Sequence, residues 1–547
     1  MRNALFLALF ILAALVCRAY ITGSAWWLGI DDANIYYVYV QNILHGHGVV
    51  YTPGGELVEG FTSVLWLALL VIFSVGNVLS VEAAALLLSL ACTFATLWLV
   101  SDAVHKQSGT LVAWCVVVVV LATPGVIDWM LIARLETPLW VLALTVAGLR
   151  MAYGPYDKWF FVALGLLPLI RPEGFILGPL VAIAACYVCH GATRNILLPA
   201  LRCASVPIVV AALLTIVRMF VFGVPLPNTY YAKVSSSLLD NISAGVAYLG
   251  ESALSAMWVP LLAFLLVIAV IVRKKNIVVD DHKKMIVDNT AGTSVGDGAI
   301  RSRYALIILV LSILLLPLLT GGDHFTYARF QIPAVFFIWM MVGREFTWTQ
   351  RRLMSVAVVL LLMSVNAVYL VRHKGGVLTL APNALRLEYT IARDGRMEAE
   401  AMEQIHKGGP LPRWGVTAAG GIGYAYDGEC IDLLGLNNPR MARANKRKVG
   451  VLHGHSSFNA EVFFEQRPDV ICAFTAKNDS LALIRYQWDW GWPTSSNYFM
   501  HDNIVEHPRF KREYALARLT ANGVSIYGLV RKDWPRKAPT VSFAFLH

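Results

Sequence analysis

Long apolar runs recur from residue 4 to about residue 371, many of them near the ~20 residues that cross a bilayer. That pattern constrains the chain to a polytopic α-helical membrane protein. Composition agrees: 57% of residues are hydrophobic and 15% charged, where a soluble domain carries roughly a quarter charged residues. Residues 373–547 are different in kind. They are charged, with short alternating runs, and predict a soluble α+β domain. The expected division is a transmembrane domain over 1–372 and a soluble domain over 373–547.

The apolar runs predict spans near 4–22, 82–103, 110–127, 137–152, 159–171, 174–190, 196–222, 254–272, 304–320, 330–347 and 353–371. The first carries Arg2 and then an apolar stretch to Cys17. Cys17, Arg18 and Tyr20 stand where a signal peptidase needs small residues, so a retained helix is expected. One further apolar run, 61–79, decides the topology. If it does not span, His105/Lys106, Lys158, Arg194, the basic segment 273–303 and Arg351/Arg352 all face the cytoplasm, as the positive-inside rule requires. If it spans, they all fall outside. The expectation is therefore eleven spans and one re-entrant or interfacial helix, with the C-terminus outside. The 273–303 segment reads as a polar, mobile loop.

Net charge is +10, and 23 Lys/Arg against 17 Asp/Glu over 372–547 supply +6 of it. A basic domain beside a membrane suits anionic lipid headgroups, lipid phosphates or acidic glycans, and an extracellular position disfavours nucleic acid. Eight cysteines are scattered, and only Cys430 and Cys472 lie in the C-terminal domain, where one disulfide is an option. CYVCH (186–190) has the haem-attachment spacing but ends an apolar helix, which makes these buried helix cysteines. Two His-Gly-His strings, His45–His47 and His453–His455, lack further metal-ligand types nearby and read as loop structure.

This topology gathers the polar loops on one face. They bring carboxylates (Asp31, Asp32, Glu56, Glu59, Glu136, Glu173, Asp323), cations (Arg134, Arg171, Lys233, Arg329) and hydrogen-bonding residues (Asn228, Thr229, Tyr230, His324). Such a face meets the needs of a sugar on a lipid phosphate. The departing phosphate requires cations or backbone donors. The acceptor hydroxyl requires one carboxylate base, which suffices for inverting transfer because phosphate is already a good leaving group. Asp31 and Asp32 could also cap a helix beginning near Ala33.

The run DDANIYYVYVQNILHGHGVVYTPGGELVEGFTS (31–63), then RLETPLW, RPEG, LPNTYYAK, GGDHFTYARFQIP, IDLLGLNNPRMAR and Val449–Ser456, resembles the GT-C glycosyltransferases. The likeness is greatest to the mycobacterial terminal arabinofuranosyltransferase B family. The resemblance implies a bacterial inner-membrane enzyme with an extracytoplasmic active site. It would move a sugar, arabinofuranose by nearest inference, from a polyprenyl-phosphate donor to a cell-envelope glycan, glycolipid or protein. It makes the Asp31/Asp32 pair the catalytic base, with Asp31 slightly favoured. It makes Glu59, Glu136, Arg171, Glu173, Asn228, Lys233, Asp323 and Arg329 cavity residues; by charge Lys233, Arg329 and Arg171 are the expected donor-phosphate ligands, and His47, Tyr230 and His324 are further expected cavity residues. Arg134 and His45 depart from the family pattern, and Arg134 is placed to neutralise Glu136. No metal-ligand set is assigned; a divalent cation on Asp31/Asp32 and the donor phosphate is an option that the loop cations make unnecessary.

In the C-terminal domain, 514–530 reads as a hairpin around Asn522-Gly523. Residues 413–436 read as strand, glycine turn, strand, without the crossover helix of a dinucleotide site. Trp488, Trp490 and Trp492 alternate, as packing or as sugar-stacking faces. The competing functions are an oligosaccharide ligase or polymerase, including a protein (pilin) O-glycosyltransferase, and a lipid-linked glycan transporter or flippase. The last predicts mid-membrane charges and symmetric halves, which the sequence does not display.

Overall fold

The computed structural model describes residues 2–345 except 23, 155, 192–195, 286–293 and 326, together with 371–374, 377–380, 385–448, 457–474, 504 and 507–546. The N-terminal part is a stack of helices: α1 (Arg2–Thr22), α2 (Asp31–Leu44), α3 (Val64–Ser74), α4 (Val81–Ser108), α5 (Thr110–Ala122), α6 (Thr137–Tyr153), α7 (Lys158–Ile170), α8 (Gly174–His190) and α9 (Leu197–Phe222). Then follow α10 (Asn228–Lys233), α11 (Leu238–Leu254), α12 (Trp258–Met285), α13 (Ser294–Leu315), α14 (Pro317–Thr320) and α15 (Ile332–Glu345).

Local chemistry sets the helix ends. The hydroxyls of Ser63 and Ser80 accept the Trp66 and Ala83 N–H groups at the starts of α3 and α4, and Asp157 caps α7 through Trp159 and Phe160. Gly109, at φ 83°, separates α4 from α5. Among the described residues, three helices are long and apolar enough to cross a membrane: Val81–Ser108, Leu197–Phe222 and Gly298–Thr320. A fourth results if α11 and the start of α12, bent by 89°, form one broken span. The remaining apolar helices are shorter.

Several expected boundaries move. The apolar run 61–79 contains α3, whose 11 residues reach only about 16 Å at ~1.5 Å per residue, against a hydrocarbon core of about 30 Å. The run 254–272 is broken at residues 255–257. The basic segment 273–303 is not a loop throughout, because α12 continues to Met285 and α13 resumes at Ser294. The expected span 353–371 lies outside the described residues except for Val371, as do Arg194, Arg351/Arg352, the second His-Gly-His string, the three alternating tryptophans and the side chains of Cys17 and Cys472.

The C-terminal part contains the hairpin β1 (Val371–Lys374) and β2 (Val377–Leu380), the long helix α16 (Arg386–Ile405), and a six-stranded sheet. Its strands are β3 (Trp414–Val416), β4 (Cys430–Asp432), β5 (Val470–Phe474), β6 (Tyr514–Ala521), β7 (Val524–Arg531) and β8 (Ser542–Phe545), in the order β4-β3-β5-β7-β6-β8. β6 and β7 pair around Asn522 (φ 52°) and Gly523 (φ 78°), the left-handed pair of a two-residue hairpin. The 413–436 region differs from expectation. β3 and β4 are parallel, and a short helix, Gly421–Ala425, crosses between them. Parallel neighbours cannot be joined by a turn alone. Cys430 is free, and of the CYVCH pair only Cys186 is buried; Cys189 is exposed.

One continuous apolar core joins the two parts. Tyr37 and Trp66 of the helical part share it with Tyr389, Met402, Trp414 and Ile422 of the C-terminal part.

Candidate functional site

The site is built around the N-terminus of α2. Gly29, at φ 78°, turns the chain into the helix, and Asp31 and Asp32 are its first two residues. Carboxylates there meet the positive end of the helix dipole. Their environments then diverge. Asp31 is buried, and its two oxygens accept the backbone N–H groups of Gly420 and Gly421 at 2.9 and 2.7 Å. Burial pushes its pKa up to about 6 against those two bonds, and Asp32 adds repulsion. The fit requires glycine: a Cβ at Gly420 would lie 1.8 Å from the Asp31 carbonyl oxygen. Asp31 thus bolts α2 to the crossover of the C-terminal sheet. Asp32 keeps a quarter of its side chain open and faces Lys233 Nζ at 3.7 Å.

The loop 321–331 supplies the next group. Asp323 pairs with Arg329, accepts the His324 N–H at 2.9 Å and lies 3.3 Å from His324 Nδ1. Burial raises the Asp323 pKa, but Arg329, His324 and Lys233 outweigh it and hold the carboxyl well below its usual range. Tyr327 and Ala328 both adopt left-handed backbone (φ 63° and 52°) immediately before Arg329, a strained arrangement of the kind found where a side chain must be aimed. The Arg329 guanidinium lies 5.3, 4.9 and 5.4 Å from the ring centroids of Trp129, Phe325 and Phe330. Trp129 comes from a single π-helical turn, Asp128–Ile132. Among the described residues, buried Arg329 Nε has no hydrogen-bond partner.

Arg171 is placed differently from its expected role. Its guanidinium donates to Glu136 at 2.5 Å and to Glu173 at 3.2 and 3.0 Å, over the ring of Phe330. Tyr36 donates to the other Glu136 oxygen at 3.3 Å. The donors of Arg171 are therefore held by two carboxylates. The expected pairing of Arg134 with Glu136 is not what forms. Arg134 is buried beneath Trp26, 5.4 Å from its ring, and among the described residues its guanidinium has no hydrogen-bond partner.

Several other expected cavity residues hold the architecture together. Glu59 accepts from Arg218 of α9 through both oxygens at 2.7 Å. Asn228 donates its side-chain amide to the Gly435 and Leu436 carbonyls at 2.8 Å, and its backbone N–H to Glu59 at 3.0 Å. Tyr230 is exposed and packs edge-on against Tyr231. His47 is exposed beyond the far end of α2, about 20 Å along the helix axis from the aspartates at ~1.5 Å per residue. It does not join the cluster. Among the described residues no three His, Cys, Asp or Glu side chains are grouped to hold a metal ion.

Glu388 of α16 completes the electrostatic picture, and sequence reading passed over it. Burial pushes its pKa up to about 8; Asp32, Asp31 and Asp323 add repulsion and Lys233 opposes them. It carried no signal, being one acid among many on a charged helix remote in sequence. Arg218 was hidden as a charge inside an apolar run, and Arg396 in the same charged helix as Glu388. Arg396 donates to Asn34 at 3.0 Å and Glu82 at 2.9 Å and lies over the Tyr424 ring.

A sequence family described as a domain of unknown function (DUF8728) matches residues 390–527. No curated protein is significantly similar in sequence. Among solved structures, ArnT from Cupriavidus metallidurans, bound to undecaprenyl phosphate, superposes with a TM-score of 0.50 at 11% identity, over 96% of this chain and 98% of that one. The same protein in the apo state gives 0.49 at 10% identity, over 97% and 98%. The match to the bound structure runs nearly end to end at low identity, which is a statement about fold. The arabinofuranosyltransferase B likeness has no counterpart among these matches. The chain has an ArnT-like fold: a helical part carrying a C-terminal sheet region.

Proposed function

We propose that this chain is a glycosyltransferase that takes a sugar from a polyprenyl-phosphate donor at the extracytoplasmic membrane face. The observation that carries the reading is the open carboxylate of Asp32, 3.7 Å from Lys233, beside an Arg329 whose buried Nε has no partner among the described residues. An ArnT-like fold supports it, since that protein was crystallised with undecaprenyl phosphate. Asp32 serves as the general base. It accepts the proton of the acceptor hydroxyl as that oxygen bonds to the anomeric carbon. The bond from that carbon to the phosphate oxygen breaks, and the phosphate leaves with the electron pair toward Lys233 and Arg329. Attack opposite the leaving group inverts the anomeric centre. Asp31 sits behind Asp32 and fixes the helix that presents it. Glu388, kept protonated, keeps further negative charge away from the phosphate.

The same reading places eleven spans in the membrane, α3 at the interface and residues 373–547 outside. Arabinofuranose is the first sugar to test, from the family resemblance. Purified protein is assayed with synthetic polyprenyl-phosphate sugars, arabinofuranosyl included, and a panel of envelope acceptors. Asp32→Asn is expected to lower transfer by about 10²–10⁴-fold, the usual worth of a general base. Asp31→Asn is expected to retain measurable transfer in whatever fraction folds. Wild-type rates in Asp32→Asn, with Asp31→Asn inactive but folded, would reverse the assignment.

A further inference from the structure

A cavity of about 360 Å³ opens between the loop after α2 and the edge of the C-terminal sheet, within the size range of ligand pockets, about 300–1,000 Å³. It is a built feature. Asn42 donates to the Val50 and Tyr51 carbonyls at 2.8 and 3.1 Å, fixing the loop. Thr52 donates to the Cys430 carbonyl at 3.3 Å, and Tyr51 to the Ala419 carbonyl at 2.5 Å, fixing loop to sheet. Buried Asp432, its oxygens filled by the N–H groups of Leu434, Gly435 and Asn437 and by the Asn437 amide, forms part of the wall.

The lining is polar, and its charges have one sign. Glu56, Asp427 and Glu429 are exposed around it, and among the described residues no Lys, Arg or His lines it. Arg413, outside the lining, pairs with Glu429 through both oxygens at 2.8 and 2.7 Å. Glu56 and Asp427 therefore set the field. That field repels phosphates and uronates and accepts hydroxyl and ammonium donors. Position adds the second argument. The Tyr51 wall is anchored on Ala419, the residue before the Gly420–Gly421 pair that holds Asp31. The cavity thus adjoins the catalytic helix at its joint with the sheet, while Lys233 contacts that helix through Asp32.

We propose that this cavity binds the acceptor, and that the acceptor presents a neutral or amino-bearing glycan there rather than an anionic one. The assignment of the glycan as acceptor rests on the transferase reading above; the selectivity of the cavity does not.

The test is direct binding to the purified full-length protein by saturation-transfer NMR and calorimetry. The probes are a neutral disaccharide (maltose), an amino disaccharide (the glucosamine dimer) and an anionic sugar (glucuronate). Maltose and the glucosamine dimer are expected to bind, with glucuronate weaker by about tenfold. Glu56→Lys and Asp427→Lys alter exposed positions. Each is expected to weaken the amino disaccharide by about tenfold and to narrow or invert the preference against glucuronate. Thermal stabilisation by undecaprenyl phosphate is measured on the same samples and is expected to be unchanged. Absence of binding by maltose and the glucosamine dimer, preference for glucuronate, or binding indifferent to both variants would each overturn the cavity assignment. Loss of undecaprenyl-phosphate stabilisation in the wild type alone would instead count against the transferase reading and leave the cavity standing.

Discussion

Two adjacent aspartates at one helix start do different work because their surroundings differ. Asp31 is enclosed and spends both oxygens on glycine N–H groups, whereas Asp32 faces a lysine across an open space. The family resemblance slightly favoured Asp31 as base; the burial of Asp31 argues for Asp32. Burial also gives this protein an unusual pH dependence. The carboxyl pKa is pushed up to about 6 at Asp31 and to about 8 at Glu388 and Glu398. Each group holds its proton more tightly when folded than when unfolded. Its stabilising contribution is complete below the unfolded value, and it is lost as pH rises through the folded one. Thermal stability is therefore expected to fall as pH rises between 5 and 8.5. Glu398→Gln, at a residue away from the site, is expected to flatten the slope between about pH 5 and 8. A melting series by differential scanning fluorimetry reads this directly; a rise in stability with pH would contradict it.

At the scale of elements, the loops that look catalytic in sequence divide into two groups. Asp32, Lys233, Asp323, His324 and Arg329 meet around one space. Glu59, Asn228, the DDAN asparagine and IDLLGLNN form the joint between helices and sheet. Tyr39 donates to Asn437 at 3.0 Å, and a Cβ at Gly60 would lie 2.0 Å from the same Asn437 oxygen. α16 is pinned to α2 and α4 by Arg396. Arg396→Ala would leave Glu82 buried without its cation, at a cost of about 3–5 kcal/mol. The expected result is faster amide exchange across Arg386–Ile405 and the crossover 417–425, with slower change in α4–α8. Uniform exchange in wild type and variant would show that the joint is held elsewhere.

For the whole molecule, the joint makes the C-terminal part a wall of the site rather than a tethered accessory, since Gly420, Gly421 and Glu388 all act at the helical part. Topology follows from α3. An 11-residue helix falls short of the bilayer core by about half. A dual phosphatase–galactosidase reporter fused after residue 80 is therefore expected to read extracytoplasmic. A cytoplasmic reading would contradict this topology and mean that 61–79 crosses.

The apolar helices, the β6–β7 hairpin and the approximate helix positions were written in the sequence. Each depends on local pattern: the length of an apolar run, the sign of charge beside it, an Asn-Gly pair between alternating strands. The parallel β3–β4 crossover was not legible, because strand direction is fixed by distant neighbours and not by local composition. Nor was the division of the carboxylates. Asp31, Asp32, Glu59 and Glu136 are the same chemistry in sequence. Whether each meets glycine backbone, a lysine, Arg218 or Arg171 is decided by residues remote along the chain, at Gly420–Gly421, Lys233, Arg218 and Arg171. Sequence by itself determined the apolar runs and the charged loops between them. Only the tertiary structure decided which are buried against partners and which stay open to a substrate, because burial and pairing are properties of contacts between distant segments.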